Sequence, residues 1–225
     1  MTVRGNLSVI VLSLFCFCGP LSAQLPEPEQ DVSGENEDFI LLQNRSGGIT
    51  ITGYRGTEKT VEIPERFGGL PVTVIGNKAF FGKELSAVRI PKTVTVIEPL
   101  AFAGNQLHSL ELPGVIRIGY EAFANNRLTQ LSFSADLSSI GQRAFMNNRL
   151  RVIDIPGRVT NIGKDAFTGN SLNSITLGAN RNIFASQGFE PSFVNYYTGT
   201  GRRAGVYVKD GTVWCLQTTD AGSRE

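Results

Sequence analysis

The chain has 225 residues, 41% hydrophobic and 18% charged, with 21 Lys plus Arg against 20 Asp plus Glu and a formal net charge of +1. The apolar content is enough for a core and the length suits one domain, while 25 Gly and 10 Pro suit many turns without the excess that marks disorder. Balanced and interspersed charges argue against nucleic acid or an anionic membrane as partner.

The first segment has the layout of a signal peptide. Arg4 is followed by an apolar run over 7–18 broken only by Ser8 and Ser13, then by Gly19-Pro20 and the small Ala23 at the expected cut. Residues 1–23 are therefore read as signal peptide, and the product as secreted, periplasmic or at the cell surface. A membrane span needs about 20 apolar residues, against about 12 here. Lipid attachment at Cys18 is a weaker alternative, because the bulky Phe17 precedes it. Cleavage after Ala23 leaves Cys215 without a disulfide partner, and its place beside Trp214 in an apolar run reads as a buried structural thiol.

Residues 24–37, with Pro26, Pro28 and many acidic groups, read as a flexible leader. Residues 38–70 read as an N-terminal cap merging into the first repeat. Phe39-Ile40-Leu41-Leu42 predicts a strand, Gly47-Gly48 a turn, Ile49-Thr50-Ile51-Thr52 a second strand, and Val61-Glu62-Ile63 a short one ending at Pro64.

Residues 71–187 are periodic. Ala79-Phe80, Ala101-Phe102, Ala122-Phe123, Ala144-Phe145 and Ala166-Phe167 recur at steps of 22, 21, 22 and 22, in phase with Leu85, Leu107, Leu128, Leu150 and Leu172. Phrases such as Ile153-Asp154-Ile155 alternate at the period of a strand. Stacked in parallel, they put Leu85, Val88 and Ile90, Leu107, Leu110 and Leu112, Leu128, Leu131 and Phe133, Leu150, Ile153 and Ile155, and Leu172, Ile175 and Leu177 inward. A second apolar stretch adds Ile75, Ile97, Ile118, Ile140 and Ile162 to the same core. Gly76, Gly119, Gly141 and Gly163 follow four of these and allow a tight turn or close approach, though Glu98 stands at that position after Ile97. Phe80, Phe102, Phe123, Phe145 and Phe167 are expected as a buried column, each on a helical or near-helical turn. Asn105, Asn126, Asn148 and Asn170 are expected to bond backbone groups at the turn back to the strand.

Residues 188–217 read as a C-terminal cap. Phe193-Val194-Asn195-Tyr196-Tyr197 looks strand-like, and Asp210-Gly211 between two alternating apolar runs predicts a β-hairpin. The aromatic residues there cover the last coil or, alternatively, bind a glycan or peptide. Residues 218–225 are a polar tail. The fold class is a leucine-rich-repeat solenoid, with a parallel strand ladder, short helical or irregular turns, N-terminal strands and a C-terminal hairpin.

The chain resembles the BspA-like bacterial surface leucine-rich-repeat family. The resemblance rests on Pro156-Gly157-Arg158-Val159-Thr160-Asn161-Ile162-Gly163-Lys164-Asp165-Ala166-Phe167 and on Gly47-Gly48-Ile49-Thr50-Ile51-Thr52-Gly53-Tyr54. It implies an extracellular or cell-surface protein, and it brings no shared catalytic residues.

Neither a zinc-binding His pair, nor a nucleophile elbow, nor a phosphate loop occurs, so no catalytic residue, cofactor or metal is assigned. The leading expectation is a non-catalytic module binding an extracellular protein or a glycan on the outward strand face. That face carries Arg89, Glu111, Ser132, Asp154 and Thr176, with His108, Gln130, Arg151 and Ser174 beside them. Each of these also fits an ordinary solvated strand position. Two alternatives stand behind it: a self-associating surface component, and a glycoside hydrolase using paired carboxylates.

Overall fold

The computed structural model describes residues 37–177 and 188–217. The expected signal peptide, nearly all of the leader, the end of the repeat region at 178–187 and the tail lie outside the described residues.

The N-terminal cap begins with β1 (Phe39–Gln43) and β2 (Ile49–Tyr54), an antiparallel hairpin. Gly47 sits in its turn at φ 79°, a conformation that favours glycine. Beyond it come β3 (Thr60–Glu62), β4 (Arg66–Phe67) and β5 (Leu70–Ile75), with β5 parallel to β2. Each of the next four coils contributes one strand to each of two parallel ladders, and one further strand follows in the first ladder. In chain order these are β6 (Ala87–Arg89), β7 (Val96–Ile97), β8 (Ser109–Leu112), β9 (Arg117–Ile118), β10 (Gln130–Phe133), β11 (Ser139–Ile140), β12 (Val152–Ile155), β13 (Asn161–Ile162) and β14 (Ser174–Leu177).

The second apolar stretch, expected only to fill the core, forms the longer ladder. Its strands pair without interruption from β5 through β7, β9 and β11 to β13, although four of the five span only two residues. Close backbone approach at the glycines accompanies this. A methyl group added to Gly141 would lie 2.5 Å from the carbonyl carbon of Gly119. The first stretch pairs in register but in pieces: β3 with β6, β8 with β10, and β12 with β14.

The third side of each coil is the Ala-Phe turn. The rings stack at 4.9 Å (Phe80–Phe102), 5.3 Å (Phe102–Phe123) and 5.4 Å (Phe123–Phe145 and Phe145–Phe167), with ring planes within 7° of parallel. Phe189 continues the column 5.2 Å beyond Phe167. It is a sixth member one further step of 22 along the chain, hidden from a search for Ala-Phe because Gly188 replaces the alanine. The turns are short, each closed by a bond between residues three apart such as Ala103 N–H to the Leu100 carbonyl at 3.2 Å. Lys78, Leu100, Glu121, Arg143 and Asp165, each just before the alanine, have φ between 50° and 60°. This left-handed backbone is unfavourable by about 1–2 kcal/mol for a residue with a side chain. It is held by bonds to the next coil, such as Leu100 N–H to the Tyr120 carbonyl at 2.9 Å and Arg143 N–H to that of Lys164 at 2.9 Å. Gly76, Gly119, Gly141 and Gly163 lie two residues earlier, and their role is close approach.

Most of the expected inward row is buried, but Val88, Leu131 and Phe133 are only half-buried. Phe133 lies edge-on to Phe145 at 5.7 Å.

The C-terminal cap corrects two expectations. The segment read as strand-like is helix α1 (Pro191–Gly199). Pro191 pre-sets the first turn, and Phe193 and Tyr197, four residues apart, bury one face against the core. The hairpin is present as β15 (Gly205–Asp210) and β16 (Val213–Gln217), with Asp210 opposite Val213, so Gly211 and Thr212 form the turn. In this register Trp214 is buried and Cys215 is exposed, not the buried thiol expected. Alternation along a strand cannot bury both neighbours. Strand β15 pairs antiparallel with β14, so the hairpin extends the first ladder.

Candidate ligand-binding face

The in-register pairing of the first ladder turns sequence spacing into rows. Glu62 faces Arg89, Glu111 faces Ser132, and Asp154 faces Thr176. One outward row therefore carries Glu62, Arg89, Glu111, Ser132, Asp154 and Thr176, all exposed except the half-buried Thr176. Inward neighbours such as Leu110, Ile153 and Ile175 anchor it in the core. A second row, two residues back, pairs Ser109 with Gln130 and Val152 with Ser174. His108 and Arg151 are exposed just before their strands, and their carbonyls accept ladder bonds from Thr129 and Asn173. The nine expected positions thus lie along one ladder, seven of them in two rows and two at the strand beginnings.

Glu62 was missing from the expected face. It bonds Arg89 at 3.0 Å, with both side chains largely exposed. Such a pair stabilises by about 0–1 kcal/mol. Its signal was available, since Val61-Glu62-Ile63-Pro64 matches Val88-Arg89-Ile90-Pro91.

Between β3, β6 and β8 lies a cleft of about 480 Å³. Glu62, Glu65, Arg89, Lys92, Ser109 and Glu111 supply its polar groups, and Pro64, Pro91, Pro113 and Val88 its apolar wall. It sits where the ladder is interrupted between β6 and β8. Among the described residues no group of three or more His, Cys, Asp or Glu side chains could hold a metal ion. No helix among them is long and apolar enough to cross a membrane.

The BspA type leucine rich repeat region matches residues 73–194 in six copies, consistent with Phe189 as the sixth ring. The chain belongs to this BspA-type leucine-rich-repeat family. Among solved structures it is similar to a T. pallidum leucine rich repeat protein, with 30% identity, a TM-score of 0.60, and coverage of 67% of this chain and 79% of that one. A leucine-rich repeat protein from Bacteroides ovatus shares the fold at 24% identity and a TM-score of 0.51, with 67% of this chain matching 42% of that one. No curated protein gives a match. A BspA-type solenoid is an architecture typical of extracellular and surface binding modules, and such repeats carry no catalytic motif of their own.

Proposed function

We propose that this protein is a secreted or cell-surface, non-catalytic module that recognises a protein ligand through the outward face of the first ladder, centred on the cleft at Arg89 and Glu111. The observation that carries this reading is the set of three in-register strand pairs whose outward residues run from Glu62 to Thr176, with inward neighbours in the core and a cleft at one end. Rigid elements position side chains better than loops do. Mixed charges with small hydroxyl groups suit a protein partner, and a glycan is the second candidate for the same face. A glycosidase acid needs a sheltered carboxyl group, whereas Glu62, Glu65 and Glu111 are all exposed.

The test is a combined Arg89→Glu, Glu111→Lys, Asp154→Lys variant, its folding verified by circular dichroism. Affinity for surface proteins drawn from the natural surroundings should fall at least about tenfold, equivalent to about 1.4 kcal/mol. Unchanged affinity in a folded variant removes this face from consideration.

Self-association has one observation in its favour. Val152 and Val213 are 57% and 59% exposed near the C-terminal end of the ladder. Sedimentation at increasing concentration decides it, and a persistent monomer rejects it.

A further inference from the structure

The buried asparagines form a chain of identical rungs, and the last one is broken. Each Nδ2 donates to the Phe carbonyl of its own coil and to that of the coil before. Asn126 serves Phe123 and Phe102, Asn148 serves Phe145 and Phe123, and Asn170 serves Phe167 and Phe145. Each Oδ1 accepts the N–H of the preceding coil's leucine: Leu85 to Asn105, Leu107 to Asn126, Leu128 to Asn148 and Leu150 to Asn170, at 3.0–3.1 Å.

The next step of 22 falls on Ser192, whose hydroxyl turns away to donate to Glu190 at 2.8 Å. Among the described residues, the Leu172 N–H then has no acceptor and the Phe167 carbonyl keeps one donor where Phe102, Phe123 and Phe145 each have two. Leu172 is 9% exposed, against 0% for its four counterparts. A cavity of about 430 Å³ opens at this point, walled by Phe167, Leu172, Phe189, Glu190, Val194 and Asn195 among others. The cavity is open on one side, and a group that presents the same pattern the rung uses would supply there the bonds that the interior rungs already have.

We propose that this cavity is a binding site for a primary carboxamide, the side chain of an asparagine or glutamine in a peptide. Its oxygen accepts from Leu172 N–H and its NH₂ donates to the Phe167 carbonyl, as the asparagine of each interior rung does. A carboxylate of the same shape sets an oxygen against that carbonyl, and a methyl group leaves the backbone groups unmatched. An acetamido group is a trans secondary amide whose N–H points away from its oxygen, so it cannot present both on one side. The volume accommodates the side chain with its flanking residues. The site is separate from the strand face, so its failure leaves the proposed function untouched.

The test is titration of the ¹⁵N-labelled protein with acetyl-Gly-Asn-Gly-methylamide, its Asp and Ala counterparts, and N-acetylglucosamine, following the Leu172 amide resonance. The Asn peptide should shift that resonance and bind at least about tenfold tighter than the Asp or Ala peptides, or about 1.4 kcal/mol. Ser192→Asn, which supplies the carboxamide within the chain, should abolish the response, while Ser192→Ala retains it. Equal responses to the Asn and Ala peptides overturn the proposal. So does a Leu172 shift with N-acetylglucosamine but not with the Asn peptide, or undiminished binding by Ser192→Asn. The peptide comparison on the unaltered protein decides the matter even if Ser192→Asn fails to fold.

Discussion

At the scale of single residues, the asparagine rungs illustrate how a recurring polar residue can be a core residue. The recurrence of Asn105, Asn126, Asn148 and Asn170 was legible as backbone bonding at a turn. Their burial followed only once coils stacked on both sides, leaving the first three fully buried and Asn170 half-buried. Asn126 bonds Leu107 N–H at 3.1 Å and the Phe102 and Phe123 carbonyls at 3.0 and 3.2 Å. Asn126→Ala leaves these groups unmatched at about 1–3 kcal/mol for each one that stays dry. Chemical denaturation should therefore register a loss of about 3 kcal/mol, and a loss under 1 kcal/mol would mean that water replaces the rung. Asn126→Asp, which removes the donors and adds a buried charge, should be at least as damaging at neutral pH.

At the scale of elements, the C-terminal cap departs furthest from the sequence reading. Phe193-Val194-Asn195-Tyr196-Tyr197 is rich in residues that favour strands, yet Pro191 and the coil surface select a helix whose rings meet Phe189 and Trp214 at 5.0 and 4.9 Å. Glu190 ties this helix to the hairpin. One oxygen receives Lys209 Nζ at 2.7 Å, Ser192 Oγ at 2.8 Å and Trp214 Nε1 at 3.0 Å. Partial burial acts to raise the Glu190 pKa, but the hydrogen bonds from Lys209, Ser192 and Trp214, with the Lys209 charge, outweigh it and hold it below the usual value of 4.5. A depressed carboxylate pKa contributes stability that is fully present above the unfolded pKa and lost as pH falls through the folded one. The cap should therefore weaken below about pH 4.5. Trp214, the sole tryptophan, reports this by fluorescence. Glu190→Gln should lower the neutral-pH stability of the cap and flatten its acid limb, and an unchanged acid limb would relieve Glu190 of this role. The edge of β16 is partly covered as well, since Tyr196 Oη accepts Leu216 N–H at 2.9 Å. Cys215, exposed on the outer side of the same strand, should react with a thiol reagent in the native state at a rate near that of a free thiol. Reaction only after unfolding would reverse that assignment.

At the scale of the whole molecule, the phenylalanine column joins the coils end to end. Tyr54 and Phe39 close it over Phe80, at 5.4 and 6.3 Å, and α1 closes it beyond Phe189. Because each coil touches only its neighbours, a gap in the middle separates two stacks. Phe123→Ala should cost about 3–5 kcal/mol. For a chain of this size that is about 10 °C in Tm. Thermal unfolding followed by circular dichroism measures it, and a shift under about 3 °C would mean that Phe102 and Phe145 close the gap. The continuity that stabilises the column also keeps the strand-face row in register.

The amino-acid sequence by itself determined the repeat, its period and which residues turn inward, because apolar periodicity and unit length survive without knowledge of neighbours. It also located Arg89, Glu111, Ser132, Asp154 and Thr176 on one face. Only the tertiary structure decided that the two-residue stretches form the longer ladder, that the Phe189 ring joins the column, and that the rungs end at Leu172. Each of these depends on what the adjacent coil presents across the gap. A backbone hydrogen bond, a ring stack or a cavity belongs to two coils at once, and no single repeat encodes it.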